Sequence, residues 1–135
     1  MAITPITKKR EIYSDFRLDF LLSPVNDDLA RKTNEEAVKE SIRNLLLTDR
    51  GERLFQPLLG GNIQQFLFEN ITPATLIMIR EGVRDTIKNF EPRCSLIDVD
   101  VLSNPDKNYV TIVVTFYIIN IETPVTLNVT LDRVR

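Results

Sequence analysis

The sequence has no histidine among its 135 residues. That removes the commonest general acid–base side chain and the commonest transition-metal ligand together. Cysteine occurs once, at Cys94, so no intramolecular disulfide can form and a reducing compartment is expected. With no histidine to activate it, Cys94 reads as a small residue entering a strand rather than as a nucleophile. An excess of one charge is lacking as well. The formal net charge is −2, which points neither to nucleic acid nor to an anionic membrane as a partner. The basic cluster Lys8-Lys9-Arg10 reads as a solvated tail. No apolar run reaches about 18 residues without a charge, so no membrane span is expected. The N-terminus has basic residues but no apolar stretch with a cleavage site behind them, so no secretion signal is expected. Gly60-Gly61 has neither the spacing nor the following lysine of a phosphate loop. No cofactor, metal or small-molecule substrate is therefore expected.

What remains is the makeup of one folded domain, 43% hydrophobic and 27% charged. Residues 1–32 have no clear period. Ile3, Ile6, Ile12 and Phe16 are scattered among polar residues, Phe16–Leu22 allows a short extended piece, and Ser23–Asp28 is turn chemistry. This arm reads as irregular and ordered through contacts with other segments or partners. Thr33 and Glu36 then match a capping box, followed by Val38, Ile42, Leu45 and Leu46 at helical spacing. The helix is expected to stop near Thr48, before the turn Asp49-Arg50-Gly51. An extended connection runs through Leu54-Phe55 and Pro57-Leu58-Leu59 to the glycine pair. A short helix is expected at Ile63–Glu69. Thr72 caps a longer one, with Pro73 at its first position and Leu76, Ile79, Val83, Ile87 and Phe90 as its buried stripe. Pro92 disfavours helical geometry at Glu91 and ends it.

From there the period switches to two. Ile97, Val99 and Val101 alternate with Asp98 and Asp100, and Ser103–Asp106 turns the chain. Tyr109–Ile119 places Val110, Ile112, Val114, Phe116 and Ile118 on one side, and Val125, Leu127, Val129 and Leu131 alternate with polar residues. The expected fold is α+β: two main helices plus a short helix packed on a three-stranded antiparallel β-meander. An irregular N-terminal arm (1–32) precedes a single domain (33–135).

No constellation carries chemistry. Glu52, Glu69, Glu81, Glu91, Asp98 and Asp100 could supply a glycosidase-like pair, but they read as ordinary solvated carboxylates. Two other features point to docking. The last strand, Val125–Leu131, has no lysine, proline or glycine to block edge pairing, so either the N-terminal arm covers it or a partner adds a strand. The triplet Glu91-Pro92-Arg93 is either a helix stop with charged flanks or a rigid corner holding an arginine fork and a carboxylate out for a partner.

The run ESIRNLLLTDRGERLFQPLLGGNIQQFLFENITP (Glu40–Pro73), with NFEPR (Asn89–Arg93), resembles the small baseplate wedge protein family of contractile-tailed phages. That family also takes in a type VI secretion baseplate subunit, and some members formerly carried a tail lysozyme label. The resemblance covers most of the chain, from Tyr13-Ser14-Asp15 to the three strands. It implies a non-catalytic structural protein located in the virion tail baseplate and assembled in the host cytoplasm. Its implied partners are other baseplate wedge proteins, through their helical core bundle, and the tail sheath protein. It also implies a role as the platform that initiates sheath polymerisation, with no nucleic acid or membrane partner. The family's Glu-Pro-Arg motif falls on Glu91, Pro92 and Arg93 and implies the wedge core contact there. Strand exchange among sheath subunits implies that the strand of Val125, Leu127, Val129 and Leu131 is a sheath-facing edge. Leu54 stands where the family usually has proline, and Leu58-Leu59 replaces a commonly acidic-aromatic pair. Two other function classes compare with this reading, a tail-associated peptidoglycan-cleaving lysozyme and a free-standing peptide-binding adaptor.

Overall fold

The computed structural model describes residues 10–104 and 106–132. Ile3, Ile6, Lys8 and Lys9 lie outside the described residues, as does the proline of the turn after Asn104. The chain forms two compact units, Met1–Ala37 and Val38–Arg135.

In the first unit, strand β1 (Ser14–Phe16) pairs antiparallel with β2 (Arg31–Thr33) in the register Ser14↔Thr33 and Phe16↔Arg31. Backbone bonds Arg17 N to Ala30 O, Ala30 N to Leu21 O and Ser23 N to Asp28 O carry the pairing toward the Ser23–Asp28 turn. The arm therefore contains a hairpin where the unperiodic sequence suggested only a short extended piece. The expected cap at Thr33 is displaced by the same hairpin, since Thr33 is a strand residue facing Ser14. Asn34 follows in the left-handed region (φ 50°), a conformation asparagine tolerates better than most residues. Its side chain turns back to the arm. Oδ1 accepts from the backbone N–H of Ile12 (2.8 Å) and Tyr13 (3.3 Å), and Nδ2 donates to the Arg10 carbonyl (3.1 Å). Helix α1 (Glu35–Leu47) opens directly after it, with Glu35 and Glu36 complementing the dipole of its first turn.

In the second unit the expected stripe of α1 is buried at Val38, Ile42, Leu45 and Leu46. The helix stops at Leu47, where Thr48 returns its N–H (3.0 Å) and its hydroxyl (2.6 Å) to the Asn44 carbonyl. Helix α2 spans Ile63–Leu67 and buries those two end residues. Helix α3 (Pro73–Phe90) is capped as expected. Thr72 Oγ1 accepts from the Thr75 N–H at 3.2 Å, and Pro73 occupies the first turn, where its missing donor has no helical partner to lose. Ile79, Val83 and Ile87 are buried, whereas Leu76 and Phe90 are half-buried. The Glu91 N–H closes the last turn on the Ile87 carbonyl at 2.9 Å, and Glu91 then leaves the helix (φ −121°, ψ 84°) ahead of Pro92.

The sheet is an antiparallel meander in the order β3 (Cys94–Asn104), β4 (Tyr109–Ile118), β5 (Pro124–Asp132). The architecture is α+β, three helices packed on three strands. Val110, Ile112, Val114, Phe116 and Ile118 on central β4 are all buried, and the first four lie opposite Leu131, Val129, Leu127 and Val125 on β5. Each such side chain contributes about 1.5–3 kcal/mol by leaving water. One expected core residue is misplaced. The register moves from Leu96↔Phe116 to Asp98↔Thr115, so Ile97 is the extra residue of a β-bulge and is 46% exposed. An inserted residue resets the two-residue phase, which is why Val99 and Val101 reach the core while Ile97 does not.

Candidate functional site

The Glu91-Pro92-Arg93 corner joins α3 to β3, and its geometry is neither a bare helix stop nor a carboxylate held out to solvent. The Glu91 side chain is 2% exposed. Its Oε1 accepts from Arg93 Nε at 2.7 Å, and its Oε2 from Arg93 Nη2 at 2.9 Å and Ser41 Oγ at 2.5 Å. The corner thus ties α1, through Ser41, to the start of the sheet. Burial alone pushes the Glu91 carboxyl up, but the hydrogen bonds from Arg93 and Ser41 and the guanidinium charge together bring it below the usual carboxylate range. What faces solvent is Pro92 and part of the Arg93 side chain. Next to them, Cys94 donates its thiol to the Glu91 carbonyl at 3.6 Å. Burial first, then the nearby Glu91 charge, pushes that thiol up to about 11, so little thiolate forms at neutral pH.

The side chains of Val125, Leu127, Val129 and Leu131 are buried in the core, so they cannot themselves contact a partner. The hydrogen-bonding phase says what the edge does offer. The Ile119 N–H donates to the Arg93 carbonyl, so odd-numbered residues of β4 turn toward β3 and even-numbered ones toward β5. Val110, Ile112, Val114 and Phe116 oppose Leu131, Val129, Leu127 and Val125, so those four β5 residues bond to β4. The outward N–H and C=O groups therefore belong to Thr126, Asn128 and Thr130. Among the described residues no strand pairs with that side of β5.

A third feature escaped the sequence reading. Residues 48–61 form a closed loop rather than an extended connection. Its ends meet through the Gly61 N–H and the Thr48 carbonyl (3.3 Å), and the Gly51 N–H bonds the Pro57 carbonyl (2.8 Å) across it. Gly60 sits at φ 117°, where an added Cβ would lie 2.3 Å from the Thr48 carbonyl oxygen. This frame holds Leu54, Phe55 and Leu58 out at 89%, 97% and 74% exposure. Exposed apolar side chains of this kind are common on interaction surfaces, where a partner takes them out of water. The available signal was an apolar run inside turn chemistry bounded by glycines.

Four of the remaining carboxylates make local contacts. Glu52 accepts from the Asp49 N–H at 3.0 Å, Glu81 pairs with Arg84 at 3.5 Å, Asp100 with Arg80 at 3.6 Å, and Asp98 accepts from the Val99 N–H. Glu69 is exposed beyond α2. Among the described residues no group of three or more Cys, Asp or Glu is placed to hold a metal, and no helix is long and apolar enough to cross a membrane.

The solved structure of a Geobacter sulfurreducens protein, provisionally named a tail lysozyme, superposes with a TM-score of 0.69 at 28% identity, covering 75% of this chain and 92% of that one. A chain of the anti-feeding prophage baseplate shares the fold with a TM-score of 0.63 at 24% identity, covering 91% of this chain and 87% of that one. The baseplate wedge protein gp25 of Enterobacteria phage T4 is 27% identical over 110 residues, 82% of this chain and 83% of its own. The family described as baseplate wedge protein gp25 matches residues 32–122, which include the corner, the braced loop and two of the three sheet strands, and to that family this chain belongs.

Proposed function

We propose that this chain is the wedge component on which the sheath of a contractile tail begins to polymerise, and that it docks onto the helical core bundle of neighbouring wedge proteins. The observation that carries the first part is the outer edge of β5, nine residues long with main-chain groups turned outward at Thr126, Asn128 and Thr130. Such an edge accepts an added strand through main-chain bonds, and a sheath segment is the strand in this reading. For the second part, Pro92 and the solvent-facing part of Arg93 form the wedge core contact, and Glu91 positions the guanidinium from beneath. The gp25 family membership supports both.

The outward phase chooses the test. Asn128→Pro removes an N–H that β4 does not use and spares the β4–β5 ladder, whereas Val129→Pro would break it. Particles carrying Asn128→Pro are expected to assemble baseplates and tubes but to lack attached sheath by electron microscopy. Normally sheathed particles containing a folded Asn128→Pro chain would remove the strand-addition reading. The tail lysozyme name of the Geobacter relative suggests peptidoglycan cleavage instead. Glu91 is not suited to be the acid of that reaction, since a catalytic acid needs its carboxyl raised and this one is lowered.

A further inference from the structure

At the opposite edge of the sheet lies a groove of about 630 Å³ between α3 and the first residues of β3. Ile87, Leu96, Ile97 and Ile119 give it an apolar lining, and Arg84 and Lys88 stand on its helical side, with no carboxylate in the lining. The Arg84–Glu81 contact is a 3.5 Å pair between side chains 44% and 55% exposed, of the kind that contributes little and leaves the guanidinium able to re-pair. Lys88 sits in the last turn of α3, where the helix dipole favours a cation. The phase that turns Arg93 and Ser95 toward β4 turns the main-chain groups of Cys94 and Leu96 outward, into this groove. The bulge interrupts the ladder at Ile97, before pairing resumes at Asp98↔Thr115, and leaves that side chain exposed.

We propose that this groove docks a short extended segment of another protein of the same baseplate, one that alternates carboxylate and apolar side chains. This rests on the baseplate reading above and adds a second docking edge to it. The charge decides the chemistry, because two cations one helical turn apart in a lining that holds no acid call for carboxylates. Carboxylates at alternate positions of an extended chain are about 6.5–7 Å apart, close to the roughly 5–6 Å between positions four apart on a helix. The intervening apolar side chains cover Ile97 and Ile119, which otherwise remain in water. The bulge shifts the outward main-chain phase after Leu96, so an added segment stays in register with Cys94 and Leu96 only over a few residues and is short.

The test places a photo-cross-linking p-benzoylphenylalanine at position 97 of the full chain, expressed with the other genes of its particle. Purified particles are checked for the chain, irradiated, and the cross-linked peptide is sequenced by mass spectrometry. The expected product joins position 97 to an acidic, apolar segment of a different baseplate protein. Its yield is expected to fall about tenfold when Arg84→Glu and Lys88→Glu are combined. Both sites are on the surface, and the neutral pair Arg84→Gln and Lys88→Gln, with melting temperatures for each, separates charge from folding. A chain absent from the particles overturns the baseplate reading and this proposal with it. A chain present without a cross-link, cross-linked to a segment lacking carboxylates or to its own arm, or indifferent to charge reversal, overturns the groove proposal alone.

Discussion

Replacing Arg93 by alanine probes the corner most directly. The guanidinium donates two of the hydrogen bonds that hold the Glu91 carboxylate, at 2.7 and 2.9 Å, and Glu91 is 2% exposed. Removing one partner of a buried ion pair costs about 3–5 kcal/mol, because the other charge is left without compensation. The Arg93 side chain is 27% exposed, so water partly replaces it, and about 2–4 kcal/mol is expected at pH 7. For a chain of this length that lowers the melting temperature by roughly 6–20 °C. Acidification then separates this account from simple loss of packing. In the parent the folded carboxyl lies below its unfolded value of 4.5, so its contribution is fully present above that pH and is lost as pH falls through the lower folded value. In Arg93→Ala only the Ser41 hydroxyl and the backbone N–H of residue 93 still oppose burial, so the folded carboxyl rises toward and past the unfolded value. Its penalty is then complete at neutral pH and fades as Glu91 takes up a proton. The two proteins should therefore converge on acidification. Denaturant unfolding at pH 7 and pH 4 measures both quantities. A loss under about 0.5 kcal/mol at pH 7, the range of an ordinary surface change, would refute the reasoning, and so would a gap that stays constant at pH 4.

Two further outcomes follow from the loop and the thiol. Gly60→Ala drives a Cβ to 2.3 Å from the Thr48 carbonyl oxygen, whereas Gly51→Ala, at φ 85°, meets nothing within 4 Å. The first should cost about 3 kcal/mol or more and the second about 1 kcal/mol in urea unfolding, and equal losses would show that the loop is not braced as described. Cys94, with its thiol pushed up to about 11, should react with iodoacetamide at pH 7.5 about 100-fold more slowly than an ordinary exposed cysteine. A rate midpoint near pH 9 would contradict the burial argument.

Much of the fold was legible because its signals are local. The cap at Thr72, the proline at Pro73, the stripe through Ile79, Val83 and Ile87, and the alternation along β4 and β5 each follow from neighbours within a few residues. The misplacements share one cause. Thr33 and Asn34 both suit a helix start, and pairing with Ser14, nineteen positions away by number, decides which of them flanks the helix. Ile97 fits the alternation of its own strand, and only the register against Phe116 and Thr115 shows that it is the extra residue.

The same division runs through the docking surfaces. The sequence by itself determined that Glu91-Pro92-Arg93 ends a helix at the sheet, that the last strand lacks any blocking residue, and that no histidine-based chemistry is possible. Composition and short-range spacing are enough for such statements. Only the tertiary structure decided that Glu91 turns inward to Ser41, fifty residues earlier, and that Thr126, Asn128 and Thr130 present the open main chain in place of Val125, Leu127, Val129 and Leu131. Whether a carboxylate points in or out depends on which distant donor can reach it. Which residues of a strand face its edge depends on the partner's register, and neither quantity is written in local sequence.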